Sequence, residues 1–197
     1  PHQIERCQLF LIICLGEAIL TTGNAIIHGL DEPLVVAAGV TSLLVIIGVW
    51  ALFFGPANEE HVLAPMTSEA HGDDPAANVS LAALATNGQQ VLVLGMVALA
   101  VGAEVVVAEP AEPIAPAAVM ALFGGMVICV TAFWFFLTRS TGRSMWVSLA
   151  ACDPVLICAA AASMLAGLPG IAVMGLLVVV TASTAWGFNR EARLLAR

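Results

Sequence analysis

The chain has 197 residues, of which 60% are hydrophobic and only 10% are charged, and its mean hydropathy is +1.00. Soluble domains are about one quarter charged, so this composition excludes an ordinary soluble domain and also a disordered or coiled-coil protein. All six basic residues are arginines and the formal net charge is −8, so no basic patch for nucleic acid is present. The composition is that of an integral membrane protein in the lipid bilayer.

Six apolar runs without strand-like alternation predict six membrane-spanning helices, since each has about the 20 residues that one crossing needs. In chain order the runs are Cys7–His28, Pro33–Phe54, Ser80–Ala108, Pro116–Leu137, Met145–Ala166 and Pro169–Phe188. The predicted fold is therefore an all-α, polytopic transmembrane helical bundle that forms a single domain over residues 1–197.

The one long connection, residues 55–79, is acidic and ends near a helix start signal. Asp74 followed by Pro75 is a typical N-cap and first-turn pair, so the third helix is expected to begin at Pro75, before the membrane. A helix continuous from there to Ala108 is about 50 Å long at 1.5 Å per residue.

The arginines predict the orientation of the bundle. With six spans, all six lie on the side shared by the two termini and by the loops after the second and fourth helices. Because cytoplasmic loops are enriched in Lys and Arg, we expect both termini and the acidic loop 55–79 to be cytoplasmic.

A polar stripe marks the first predicted helix. Glu17 lies inside the span, and Thr21, Asn24 and His28 fall within about 40° of it, with Arg6 on the same face nearer the N-terminus. A carboxylate at this depth costs several kcal/mol when ionised, so we expect Glu17 to be mostly protonated at rest. Two interpretations stay open: a water-lined or proton-carrying path, and a protonated carboxyl that packs against a neighbouring helix.

Further polar groups lie in the third and fifth spans. Thr86, Gln90 and Glu104 share one face of the third helix, and Asp153 precedes Pro154 inside the fifth run. Proline removes a backbone donor and frees a carbonyl, as in the broken helices that form ion sites in many transporters. For Asp153 and Pro154, an ordinary proline kink is the alternative interpretation. For Glu104, which lies near the end of its helix, the alternative is a side chain that extends toward the membrane surface.

No pattern indicates catalysis or a metal centre. The sequence has no GxSxG, HExxH, Walker or Rossmann motif, so no enzymatic activity and no cofactor are expected. His61 and His71 lie among carboxylates at spacings that fit no metal motif, which favours a solvated acidic loop. The five cysteines lack CxxC spacing and are odd in number, so free thiols are expected.

The segment His2-Gln3-Ile4-Glu5-Arg6, which leads through Ile12-Ile13 into Leu15-Gly16-Glu17, resembles the bacterial low temperature requirement protein A (LtrA) family. That family has a His-x-x-Glu-Arg motif running into an Ile-Ile-x-Leu-Gly-Glu helix, and Gly95…Gly102-Ala103-Glu104 is similar to its later glycine-and-glutamate helix. By this resemblance, six residues fall on family motif positions: His2, Glu5, Arg6, Gly16, Glu17 and Glu104.

The resemblance implies the C-terminal half of a bacterial inner-membrane protein, whose N-terminal half is the expected partner, with a homo-oligomer as a further possibility. Asn87-Gly88-Gln89-Gln90 departs from the aromatic-and-histidine pattern that the family has before its glutamate helix. The family name describes growth in the cold and supplies no molecular activity.

Two functions therefore stay open. One is a small-solute or proton-coupled transporter in which Thr21, Gln90 and Asp153 line a route past Glu17. The other is a non-transporting scaffold or regulator of membrane properties in which the same groups hold helices together.

Overall fold

The computed structural model describes residues 2–54, 75–141 and 147–195, and every regular element in these ranges is an α-helix. In chain order the helices are α1 (His2–His28), α2 (Pro33–Phe54), α3 (Pro75–Ala108), α4 (Pro116–Thr141), α5 (Val147–Ala166) and α6 (Gly170–Leu195). The predicted all-α class is confirmed. Most of the acidic loop predicted at 55–79, namely residues 55–74, lies outside the described residues.

Five of the helices are long and apolar enough to cross a membrane, which confirms a polytopic membrane protein. The spanning segments are Pro33–Phe53, Asn87–Ala108, Pro116–Thr138, Leu149–Ala166 and Gly170–Glu191. In α1 a shorter apolar segment, Ile12–Asn24, corresponds to the remaining predicted span.

Several helices continue beyond the apolar runs. The third helix begins at Pro75, as the Asp74–Pro75 pair predicts, while α4 and α6 extend to Thr141 and Leu195. An apolar run marks only the part of a helix that meets lipid. The helix itself continues for as long as its backbone hydrogen bonds are maintained, so polar residues such as Arg190 remain helical.

The helices pack in a closed ring in the order α1, α2, α6, α5, α4, α3. Helix α3 also contacts α2 and α6, so the bundle has two rows of three helices: α1, α3 and α4 in one row, and α2, α6 and α5 in the other. Three rings from α2, α4 and α6 meet between the rows, with centroids of Phe53 and Phe133 4.6 Å apart and those of Phe133 and Phe188 5.5 Å apart. This ring order decides which polar residues are able to meet.

Helices α3 and α4 cross with their backbones in close contact. A Cβ atom placed on Gly95 would lie 2.8 Å from the carbonyl oxygen of Gly125, and one on Gly125 would lie 2.6 Å from that of Gly95. About two turns further along α3, a Cβ atom on Gly102 would lie 2.9 Å from the backbone nitrogen of Leu122. Small residues allow backbones to approach in this way within membranes, and here they fix α3 against α4.

Two loops at one end of the bundle are joined by backbone hydrogen bonds. Ile114 N–H donates to the carbonyl of Leu168 (3.2 Å), and Gly170 N–H donates to that of Glu112 (3.1 Å). Gly167 has a φ of +60°, a left-handed conformation that glycine adopts without steric cost. The α3–α4 and α5–α6 connections are thereby held together.

Candidate functional site: polar groups at membrane depth

The polar stripe of α1 lies on the outside of the bundle. Glu17 and Asn24 are exposed on the same face, seven residues apart, within or at the end of the apolar segment. Exposed Ile13 and Leu20 flank Glu17 on this face. We call these four residues, Ile13, Glu17, Leu20 and Asn24, the outer face of α1. The remaining side chains predicted for the stripe lie outside the described residues: Arg6, Thr21 and His28.

The opposite face of α1 packs against α2 and α3 around a small enclosed cavity. From α1 it is lined by Leu15, Ala18 and Thr22, and its volume is about 20 Å³. Thr22 and Ser42 of α2 are both buried, and their hydroxyl oxygens are 3.3 Å apart. Glu104 of α3 also lines this cavity, although the residue as a whole is exposed. One acidic residue and two hydroxyl-bearing residues thus line the same cavity.

A second polar contact joins α4 and α5. Thr131 Oγ1 donates to Asp153 Oδ2 at 2.8 Å, and α5 remains helical through Pro154. Two buried polar atoms near this contact, Oδ1 of Asp153 and Nε1 of Trp134, have no hydrogen-bond partner among the described residues. Asp153 therefore accepts a hydrogen bond from α4, and α5 is not broken at Pro154.

Next to Asp153, the buried thiol of Cys152 contacts α6. Thr184 Oγ1 lies 3.0 Å from Cys152 Sγ and 2.8 Å from the carbonyl oxygen of Val180, to which it donates. Of the five cysteines, the four whose side chains are described are free thiols: Cys14, Cys129, Cys152 and Cys158.

A larger hollow of about 440 Å³ opens between α3 and α4. Its lining is mainly apolar and aromatic, and it includes Asn87, Gly88 and Trp134. Gln90, predicted to lie on the polar face of α3, is exposed but is not part of the lining, and the side chain of Thr86 lies outside the described residues.

The ring order separates the residues that were predicted to line one route. Helices α1 and α5 lie opposite each other, so Glu17 and Asp153 belong to different parts of the bundle. Glu104 reaches the inner side of α1, whereas Glu17 lies on its outer face. Among the described residues there is also no group of three or more His, Cys, Asp or Glu side chains that could hold a metal ion.

Sequence reasoning missed the hydroxyl partners of these sites, namely Thr22, Ser42 and Thr131. In α2 and α4 the apolar residues surround the whole helix, so periodicity does not show which face a single serine or threonine occupies. On α1 the spacing of Leu15, Ala18 and Thr22 does place them on one face, which was the available signal.

The sequence of the chain was compared with models of known protein families, with curated proteins and with solved structures. The family model for the bacterial low temperature requirement A protein (LtrA) matches residues 1–185, which is most of the chain. The chain belongs to the LtrA family. No curated protein and no solved structure matches it.

The predicted family resemblance is thus confirmed, and it identifies a multi-pass protein of a bacterial membrane. For the LtrA motif residues, the structure places the backbones of His2, Glu5 and Arg6 in the first turns of α1, ahead of Gly16 and Glu17. The side chains of the first three lie outside the described residues. Glu104, on the later helix, is separated from Glu17 by the width of α1.

Proposed function

We propose that this LtrA protein is a membrane transport protein whose pathway follows the outer face of α1, with Glu17 as the group that takes up and releases a proton. The observation that carries the proposal is the exposure of Glu17 and Asn24 on one face of a helix within an apolar segment. Ionisable side chains at membrane depth nearly always face a water-filled cavity or a polar partner, because contact with lipid costs several kcal/mol.

The interior of the described bundle supports a route at its edge. The enclosed space between α1, α2 and α3 is about 20 Å³, and α3 and α4 cross in backbone contact. The first space is too small for a solute larger than water. The hollow of about 440 Å³ between α3 and α4 is lined mainly by apolar and aromatic side chains, which do not suit a proton or a polar solute. A pathway for a proton or small solute is therefore better placed between α1 and a further membrane-embedded element than between the helices themselves.

We infer that this further element lies against the outer face of α1. We propose the N-terminal half that the family resemblance implies, with a second copy of the chain as the alternative. In such an interface the Glu17 carboxyl binds a proton or releases it to water, and the Asn24 amide, which both donates and accepts, binds a polar solute or water. Gly16 and Gly23, whose missing Cβ atoms would meet nothing within 4 Å, leave room beside these groups.

The test is proton flux into liposomes that contain the purified protein and a pH-sensitive dye. Under an imposed pH gradient, we expect flux above that of protein-free liposomes. Glu17→Gln keeps the shape of a protonated carboxyl but cannot release a proton, so this variant should assemble normally and lose the flux.

The matched control is Glu32→Gln, which removes a carboxylate from the exposed α1–α2 connection and should leave the flux unchanged. Full activity of Glu17→Gln, or the absence of flux from the unmodified protein, would overturn the proposal.

The second candidate is a non-transporting scaffold or regulator of membrane properties. The close crossing at Gly95 and Gly125 favours it, because such contacts favour a rigid bundle. In that case Glu17 is an assembly contact: Glu17→Ala should lose assembly, whereas Glu17→Gln should remain functional. Neither candidate includes catalysis, since the sequence has no catalytic motif.

A further inference from the structure

The cavity between α1, α2 and α3 is small and mainly apolar, but three polar residues take part in its lining. About 20 Å³ is enough for one water molecule, which needs about 10 to 15 Å³ and two to four polar partners. Its polar lining consists of Thr22, Ser42 and Glu104, one residue from each helix. The remainder of the lining is apolar.

The two hydroxyls in this cavity differ from most other described hydroxyls of the bundle, and only Thr131 among those others bonds to a side-chain oxygen of another helix. Thr41, Thr138, Ser163 and Thr181 each donate to a carbonyl of the preceding turn of their own helix. Thr22 and Ser42 instead point across the α1–α2 contact at each other, at 3.3 Å. This distance is long for a bond between two hydroxyls, so both retain capacity for another partner.

Glu104 of α3 is part of the cavity lining, and among the described residues no hydrogen bond joins it to Thr22 or Ser42. Thr22 and Ser42 are 7% and 2% exposed, so bulk water does not satisfy them. Buried hydroxyls with spare hydrogen-bonding capacity and a nearby carboxyl are the surroundings in which ordered waters occur in proteins.

We propose that this cavity is a binding site for one water molecule, held by the hydroxyls of Thr22 and Ser42 and by the carboxyl of Glu104. The water links the three helices at one point and holds the Glu104 carboxyl toward the bundle. The site is separate from the outer face of α1, and it stands whether or not the protein transports protons.

The direct test is a structure of the protein at a resolution that shows ordered waters. We expect one density peak within hydrogen-bond distance of all three side chains. Ser42→Val, which adds two methyl groups on the cavity wall, should remove that peak. A cavity that is empty in the unmodified protein would overturn the proposal.

A double-mutant cycle tests the energetic link, since no direct bond joins Glu104 to Ser42. Ser42→Ala and Glu104→Leu should each lower the Tm, and their combined loss should be smaller than the sum by about 2 °C or more. The control pairs Glu104→Leu with Thr41→Val, which alters a hydroxyl bonded to its own helix. That pair should be additive, and additivity in the Ser42 cycle would contradict a bridging water.

Discussion

At the scale of single residues, the direction of a hydroxyl decides whether it joins two helices. In lipid a hydroxyl needs a partner, and a carbonyl of the preceding turn of the same helix supplies one. Thr138 follows this rule by donating to Trp134, whereas Thr131, on the same helix, donates to Asp153 of α5. The same residue type therefore has two roles in α4: Thr131 joins α4 to α5, and Thr138 bonds within α4.

This difference gives a prediction for Thr131→Val. Loss of the 2.8 Å hydrogen bond to Asp153 should lower the stability of the protein by about 1 kcal/mol, as for other hydrogen bonds between membrane helices. Thr138→Val should cost less, because it removes only a bond within α4. Denaturation in detergent, followed by circular dichroism, measures both, and equal losses would show that the Asp153 contact adds nothing.

At the scale of the helices, adjacent glycines of α4 have opposite surroundings. Gly125 faces α3, where a Cβ atom would lie 2.6 Å from the Gly95 carbonyl and 2.7 Å from the backbone nitrogen of Leu99. Gly124, one position earlier, has open space within 4 Å. The α3-facing side of α4 therefore requires glycine at position 125, whereas position 124 has room for a larger residue.

We predict that Gly125→Ala destabilises the bundle by about 1 to 3 kcal/mol, since backbone atoms cannot move aside as a flexible side chain can. Gly124→Ala is the control, and it should be neutral or stabilising by up to about 1 kcal/mol because alanine favours the helix. Thermal unfolding of the two variants in the same detergent gives the comparison. Equal stability of the two would contradict the backbone contact between α3 and α4.

At the scale of the bundle, the arrangement of the helices decides whether a polar residue faces another helix or the outside of the bundle. Both Glu104 and Glu17 are exposed, but Glu104 lines the cavity between α1, α2 and α3, whereas Glu17 lies on the outer face of α1. The side of the membrane on which each loop lies follows from the arginines rather than from the packing.

For the orientation, we predict that a cysteine at position 69 is not labelled by a membrane-impermeant thiol reagent in intact cells. In a six-span topology the six arginines all fall on the side of the termini and of this loop, and we expect that side to be cytoplasmic. Glu69→Cys should react only after the membrane is permeabilised, whereas Glu112→Cys, in an opposite loop, should react in intact cells. Both variants are made after the native cysteines are replaced by alanine. Labelling of position 69 from outside would reverse the topology.

The all-α class, the approximate positions of the apolar helices and the family could be predicted from the sequence alone. Runs of about 20 apolar residues have to be helical in lipid, because their backbone groups find partners only within the same segment. The Asp74–Pro75 pair likewise predicted where α3 begins. These are local properties, and local chemistry is sufficient for them.

The contacts between polar residues of different helices could not be predicted from the sequence, because they depend on how the helices pack. Helices that are apolar all round carry no signal for their neighbours, so the ring order was not available from the sequence. That order separates Glu17 from Asp153 and gives Asp153 its partner Thr131. It also joins Thr22, Ser42 and Glu104 around one cavity, because contacts between helices depend on how whole faces pack rather than on spacing along the chain.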